Sequence, residues 1–202
     1  MRARAGLALG AMALIVVALA ALTRVGETEV REEVFADVGP LAEGASYLAF
    51  ARDFEGYRSW ERHWVEGAMI PTGATPGPTY IYLNHRPPAG TRSWPVGTIL
   101  VKEIQSGDPE DWVVHAMVKR GVPYNAHGAA GWEFFELDVA PDGVTDVVWR
   151  GQSPPSGHGY GAVGRDAGID ASTLTCNDCH AANWQNDSVL TPALSLLPLP
   201  AR

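Results

Sequence analysis

A short segment near the C-terminus holds both cysteines of the chain. Cys176 and Cys179 are separated by two residues in TCNDCHAANW, and His180 follows directly. Cys-x-x-Cys-His is the attachment sequence of c-type haem. Two thiols on one helical turn can meet the two vinyl groups of a porphyrin, and the histidine then faces the iron. The segment predicts one covalently attached haem c on a short helix, held by Cys176, Cys179 and His180.

Two other uses of the cysteine pair remain as alternatives. A redox-active disulfide of the thioredoxin kind needs a βαβ setting, which the surrounding sequence lacks. A structural zinc site needs four ligands, and the chain has no second cysteine pair. Haem c is therefore the favoured interpretation, with a disulfide as the alternative.

The N-terminus has the pattern of an export signal. Arg2 and Arg4 precede an uncharged apolar run from Ala5 to Thr23. Residues 1–21 are predicted to be a signal peptide, or else an uncleaved membrane anchor, since the run is near the length that spans a bilayer. Either outcome places the folded part in the periplasm or outside the cell, where haem c is attached. The net charge of −8 argues against a nucleic-acid partner.

The body of the chain is predicted to be mainly β, an antiparallel sheet with a few short helices (an α+β class). Residues 22–40 are predicted to be a linker or arm, and residues 41–67 to form one or two short helices broken near Gly56. Short β-branched and aromatic runs between turn residues then indicate an antiparallel meander, with Asp142-Gly143 as a hairpin turn. These runs are residues 78–86, 97–104, 111–120, 131–139 and 145–151.

The position of the cysteine cluster separates families of c-type cytochromes. Electron carriers of class I attach haem near the N-terminus and place a methionine ligand downstream. Here only 22 residues follow His180, and none of them is methionine. The four-helix cytochromes c′ attach haem near the C-terminus, but the central region of this chain has the pattern of strands.

Six ordered segments of the chain form a recognisable set. They are YRSW (57–60), YIYLN (80–84), PVGTILVKEI (95–104), HAMVKR (115–120), GWEFFEL (131–137) and CNDCHAANWQNDSVLT (176–191). In this order they resemble the cytochrome P460 and cytochrome c′-β family over roughly residues 45–192, so residues 41–192 are predicted to be the haem domain and 193–202 a tail. The resemblance implies a β-rich fold, usually a homodimer, and a high-spin haem with His180 as the proximal ligand.

Members of this family have one of two functions. The P460 enzymes oxidise hydroxylamine with NO as co-substrate, and a lysine is bonded to their haem. The c′-β proteins lack that bond and bind NO or CO against an apolar distal face. The resemblance implies an oxidoreductase for small nitrogen species or a gas-binding protein, each with a redox partner protein. A periplasmic electron carrier is a third alternative.

The chain has two lysines, Lys102 and Lys119. Strand alternation in TILVKEI places Lys102 on one face with Leu100 and Ile104, so its ammonium must reach water, find a partner or be modified. Lys119 also has apolar neighbours, but it stands at a strand end from which it can reach water. Position in the family motif favours Lys102 for contact with haem. A half-exposed strand lysine is the alternative for both.

The family's enzymes also use a pocket carboxylate to move protons. Glu133 is the candidate, because it shares a strand face with Phe135 and Leu137, and apolar neighbours raise the pKa of a carboxyl group. Glu103 is the second choice, and a surface position is the alternative for both. Thr79 stands where the family often has a distal arginine. Because that arginine is missing, the enzyme is only slightly favoured over the gas-binding protein.

Several side chains are candidates for the distal side of the haem. Trp132, Phe134 and Phe135 could form an apolar cap, with an ordinary core position as the alternative. Each of five histidines could in principle supply a sixth ligand, with a packed or surface position as the alternative. They are His63, His85, His115, His127 and His158, of which His158, in the loop SGHGYG, is the first choice.

Overall fold

A computed structural model of the chain describes residues 45–68, 75–155 and 175–196. Several sequence predictions lie outside the described residues and are not tested by the structure. They are the signal peptide or anchor at 1–21, the arm at 22–40, His158 as a distal ligand and the last part of the tail at 197–202.

An antiparallel meander of six strands forms the body of the structure. Each strand pairs with its neighbours in the chain, because the order across the sheet equals the order in sequence. The predicted class, mainly β with a few short helices, is confirmed, and the five predicted strands correspond to β2–β6. The strands are β1 (Glu61–Trp64), β2 (Thr79–Leu83), β3 (Ile99–Ile104), β4 (Val113–Lys119), β5 (Trp132–Val139) and β6 (Thr145–Gly151).

The turn predicted at Asp142-Gly143 joins β5 to β6. Gly143 has φ +90°, a conformation that favours glycine. Its N–H donates to the carbonyl of Ala140 at 2.8 Å, and the N–H of Val144 donates to Asp142 Oδ1 at 3.2 Å. The local sequence therefore closes this hairpin by itself.

The predicted helical region at 41–67 is only partly helical. Two single turns of 3₁₀ helix, Ala51–Phe54 and Tyr57–Ser59, lie on either side of Gly56, so the predicted break is confirmed. The rest of the region contains β1 instead of a helix, with His63 opposite Ile81 of β2. The backbone N–H and C=O groups of β1 are satisfied by pairing with the edge of β2. This pairing outweighs the weak helical spacing of the local sequence, which contains no information about the partner strand.

The two faces of the sheet carry separate hydrophobic clusters. Leu100 of β3 and Met117 of β4 belong to the helix face, which packs against the short helix α1 (Cys176–Ala181). Val101 and Val118 belong to the opposite face, which packs against the 3₁₀ turns near the N-terminal end of the described chain. Neighbouring residues of one strand therefore enter different cores, as the pleat requires.

The C-terminal segment contributes to the helix-face core. Leu194, which the sequence places in the tail, is fully buried there and lies in a 3₁₀ turn, Pro192–Leu194. The packed part of the chain therefore includes at least the first residues of that tail.

Candidate functional site

Helix α1 carries both cysteines and His180, and a capping box stabilises its first turn. The hydroxyl of Thr175 accepts from the N–H of Asp178 at 3.4 Å, and Asp178 Oδ2 accepts from the N–H of Thr175 at 2.8 Å. These bonds satisfy two of the backbone groups that a helix leaves unpaired at its ends. The short helix predicted at the cysteine cluster is thus confirmed.

Asn177, between the two cysteines, attaches α1 to the connection between β4 and β5. Its Oδ1 accepts from Asn125 Nδ2 at 2.7 Å and from the N–H of Ala129 at 2.8 Å. Asn125 is itself buried and donates to the carbonyl of Ala129 at 3.0 Å. The helix is therefore held by polar contacts on one side while its cysteine side remains directed to the sheet.

A cavity of about 290 Å³ lies between α1 and the helix face of the sheet. Its volume is at the small end of the range for ligand pockets, about 300–1,000 Å³. Most of the lining is apolar, with polar groups from α1 and β3. Cys176, Cys179, His180 and Lys102 all line it. The fold thus places Lys102 of β3 beside the same cavity as the two cysteines and His180 of α1, although β3 and α1 are distant in sequence.

The imidazole of His180 is oriented by a backbone carbonyl. Its Nδ1 lies 2.7 Å from the carbonyl oxygen of Ser188, so Nδ1 carries the proton and donates it. Phe134 packs against the ring, with 5.1 Å between the ring centroids. Burial lowers the pKa of His180 to about 4. The hydrogen bond to Ser188 acts to raise this pKa, and the charge of Lys102 acts to lower it. At neutral pH the ring is uncharged, and Nε2 has a free lone pair.

Lys102 lies in the middle of β3, with Ile81 on one side in the sheet and His115 on the other. Burial lowers the pKa of Lys102 to about 8, against the opposing effect of the Cys176 sulfur. A substantial fraction of the amine is therefore neutral at slightly alkaline pH. The neutral amine is the nucleophilic form of lysine.

The two cysteines are free thiols in the structure. Burial raises the pKa of Cys176 to about 11, and burial also raises the pKa of Cys179 above its usual range. Both are therefore thiols rather than thiolates at neutral pH. Among residues 45–68, 75–155 and 175–196, no group of three or more His, Cys, Asp or Glu side chains is arranged to hold a metal ion.

Glu133, the favoured pocket carboxylate, does not line the cavity. It lies on the opposite face of the sheet, buried, and accepts from Arg150 Nε at 2.8 Å and Nη2 at 2.7 Å. Glu103, the second choice, is fully buried on that same face and accepts from Arg58 Nε at 2.8 Å. Both placements correct the sequence prediction. Strand alternation identified the neighbours of these residues but could not tell which face meets α1.

The glutamate on the cavity side of β5 is Glu136, which the sequence reasoning missed. It lies opposite His115 of β4 and Trp149 of β6, and it accepts from Trp149 Nε1 at 2.6 Å. Lys102, His115 and Glu136 therefore form a transverse row of titratable residues on three neighbouring strands. The sequence did contain a signal for Glu136, because strand alternation places it on the same face of β5 as Trp132 and Phe134.

The remaining candidates take different positions. Of the three aromatic residues, Phe134 contacts His180 and lines the cavity. Phe135 also lines the cavity although it belongs to the cluster of the opposite face, and Trp132 is buried in the helix-face cluster. Of the four described histidines other than His180, His115 lines the cavity and is buried. His63 pairs with Glu61 at the sheet edge, and His85 and His127 are exposed.

Comparisons of the chain with models of protein families, with curated proteins and with solved structures return no match. Within the described ranges, the structure contains no helix that is long and apolar enough to cross a membrane.

Proposed function

We propose that the chain is an exported cytochrome with one haem c that acts as an oxidoreductase on small nitrogen species such as hydroxylamine and NO. The observation that carries the proposal is the single cavity lined by Cys176, Cys179, His180 and Lys102. Export is supported by the basic and apolar N-terminal segment. A dimer of identical chains and a redox partner protein are further parts of the proposal that come from the family resemblance.

The residues of the cavity fit a haem c. Cys176 and Cys179 offer two free thiols on one helix, which is what thioether attachment requires. His180 offers Nε2, because its Nδ1–H is taken by the carbonyl of Ser188. A hydrogen bond on the second nitrogen is the usual way in which a metal-binding histidine is held in one tautomer. The apolar lining suits the faces of a porphyrin.

The chain's own groups would hold the haem as follows. Each thiol would add across a vinyl double bond, the sulfur bonding to one carbon and the thiol hydrogen passing to the other. Nε2 of His180 would bind the iron. Haem, when bound, supplies an iron that binds small nitrogen ligands and exchanges electrons. Lys102, whose amine is neutral in part near pH 8, would make the third covalent attachment that the hydroxylamine-oxidising members of the resembled family have. This N–C bond would replace an N–H and a C–H bond, with a peroxide as the two-electron oxidant that takes up the two hydrogen atoms and leaves as water.

A second candidate function is gas binding without catalysis, in the manner of the c′-β proteins. The observation that favours it is the apolar surface that Ile81, Leu100 and Met117 give to the cavity. A small neutral molecule such as NO or CO needs no charged partner and loses little on leaving water. In that case Lys102 would remain an unmodified amine.

The test is the intact mass and the reduced optical spectrum of the protein made with the c-haem maturation machinery. If Lys102 is bonded to haem, the haem-carrying chain is lighter by two hydrogen atoms than the sum of chain and haem, because one N–C bond replaces an N–H and a C–H bond. The Soret band is then strongly red-shifted. Lys102→Arg keeps the charge and should restore both the full mass and an ordinary spectrum.

The control for the mass is the Cys176→Ala, Cys179→Ala double variant, which gives the mass of the chain without thioether-attached haem once the two missing sulfur atoms are added back. An ordinary mass together with a five-coordinate spectrum that responds to NO would favour gas binding. A six-coordinate low-spin spectrum that ignores NO would favour an electron carrier. Wild-type protein without any haem band would overturn all three.

A further inference from the structure

Lys119 makes a buried ion pair with the loop that follows α1. Its Nζ lies 2.7 Å from Asp187 Oδ1 and 2.8 Å from Oδ2, and it also donates to the carbonyl of Ala130 at 2.9 Å. The side chains of Lys119 and Asp187 are only 7% and 16% exposed. Nζ also stands 5.0 Å from the centre of the Trp132 ring. The last residue of β4 is thus attached to the C-terminal loop by a pair that little water reaches.

Asp187 also accepts hydrogen bonds from elements that are distant in sequence. Its Oδ2 accepts from the N–H of Trp94 at 2.7 Å and from the hydroxyl of Ser93 at 2.8 Å. Its backbone carbonyl accepts from Trp132 Nε1 at 2.8 Å. The connection between β2 and β3, the end of β4 and the start of β5 therefore all meet at this one residue.

The backbone at Asp187 and Ser188 needs such support. Asp187 has φ +48° and Ser188 has φ +67°, both in the left-handed region that side-chain-bearing residues enter only at a cost. Ser188 is the residue whose carbonyl accepts the Nδ1–H of His180. The direction of that carbonyl depends on the two left-handed residues, and these in turn are held by the contacts of Asp187.

From these contacts we infer that Lys119 is a positioning residue for His180, acting through Asp187 and the carbonyl of Ser188. The inference rests on the proposed function in one respect, the role of His180 as the iron ligand. A hydrogen bond to Nδ1 raises the basicity of a metal-bound imidazole. Lys119 thereby keeps the His180–Ser188 bond short. In the haem-loaded protein His180 would then be a stronger ligand, which would lower the reduction potential.

The alternative for Lys119 is a contribution to stability alone. Buried ion pairs are weak stabilisers, because the loss of hydration offsets much of the attraction between the charges. An apolar residue in the place of one partner leaves the other charge buried and destabilises the fold. Loss of stability therefore does not separate the two roles, and the readout must report on His180 itself.

The experiment compares haem-loaded wild type with Lys119→Met, Asp187→Asn and the double variant. Asp187→Asn removes the charge of the pair from the other side while it keeps the size of the side chain and an acceptor for Trp94. It is therefore the second, independent variant if Lys119→Met does not fold. The readouts are the iron–histidine stretching frequency of the reduced protein and the reduction potential. Both single variants should lower the frequency and raise the potential, and the double variant should add no more than the larger single effect, because the two residues act in series.

Arg150→Met is the control, since it breaks an ion pair of the same length, with the buried carboxylate of Glu133, on the opposite face of the sheet. It should lower the melting temperature without changing either readout. Unchanged frequency and potential in Lys119→Met and Asp187→Asn, with the melting temperature lowered as in the control, would overturn the inference.

A readout without iron separates this inference from the proposed function. Nitrogen-15 NMR of the His180 ring reports its tautomer in haem-free protein, where no iron occupies Nε2. Wild type should have the proton on Nδ1, and Lys119→Met should have a mixture of both tautomers. If wild type takes no haem, the proposed function fails and the NMR comparison still decides on Lys119. If wild type binds haem and the haem-free forms of both variants keep the pure Nδ1 tautomer, only the inference about Lys119 fails.

Discussion

The side chain of Asn177 fills the space beside the α-carbon of Gly128. A β-carbon on residue 128 would lie 2.2 Å from Asn177 Nδ2 and 2.4 Å from Oδ1, closer than any real contact allows. Asn177 is the residue after the first cysteine, and its side chain holds α1 against the loop at Asn125 and Ala129. The absence of a side chain at position 128 is therefore a condition for the docking of the cysteine helix.

Gly128→Ala should destabilise the fold through this contact. Its backbone is not in the left-handed region, so the effect is steric, and overpacking of this kind costs about 1–3 kcal/mol. The measurement is the free energy of unfolding in urea, together with the yield of covalently attached haem, which should fall. In an Asn177→Ala background the two nearest clashing atoms are gone and Asn125 Oδ1, 2.6 Å from the same β-carbon, remains, so the same substitution should cost less. An equal cost in both backgrounds would show that the contact is not responsible.

Glu103 makes the stability of the fold depend on pH. Burial alone would raise its pKa, but hydrogen bonds from Tyr57, Gln105 and Arg58 outweigh burial, and the net pKa is lowered. A carboxylate with a lowered pKa stabilises the folded state above its unfolded pKa, about 4.3. That stabilisation disappears as the pH falls through the lower pKa of the folded state.

We therefore expect the unfolding free energy of wild type to decrease below about pH 4.3. Glu103→Gln should be less stable by about 1–3 kcal/mol at pH 7 and should have a flatter pH dependence in the acid range. The measurement is urea unfolding from neutral to acid pH. Glu55→Gln, at an exposed position, is the control and should follow wild type. Parallel curves for Glu103→Gln and wild type would contradict the role of Glu103.

Glu133 should matter for stability and not for chemistry. Glu133→Gln weakens the two bonds from Arg150 and should cost about 1–3 kcal/mol. Because Glu133 lies on the opposite face from α1, Glu133→Gln should leave unchanged the spectrum of the proposed haem and the proposed reaction with NO or hydroxylamine. Stopped-flow kinetics below the melting temperature is the measurement. A slower reaction in a variant of unchanged stability would return Glu133 to the list of proton-transfer candidates.

Leu194 should be as important as a central core residue although it lies near the C-terminus. It is fully buried in the helix-face cluster, and Leu→Ala changes at such positions cost about 2–5 kcal/mol. Leu190→Ala, at a side chain that is 39% exposed, should cost less than about 1 kcal/mol. Chemical unfolding of both variants makes the comparison. Equal losses of unfolding free energy in the two variants would contradict the core role of Leu194.

The strands and turns of the sheet were predictable because their signals are local. β-branched and aromatic runs between Gly, Pro and Asp residues need only their own sequence to favour extended chain and tight turns, and the turn at Asp142-Gly143 is closed by bonds within the turn. The short helix at the cysteine cluster carries its own capping box. β1 was missed because a strand of four residues at a sheet edge exists only through its partner.

The sequence by itself determined the strand alternation, the meander and the position of the motif with Cys176, Cys179 and His180. Only the tertiary structure decided which face of the sheet meets α1. Alternation groups Glu133 with Phe135, and Trp132 with Phe134, but it is symmetric between the two faces until another element packs on one of them. That packing directs Lys102 to the cavity and Glu133 away from it. The pair of Lys119 with Asp187 joins residues 68 positions apart, and no local pattern encodes a contact between such distant parts of a chain.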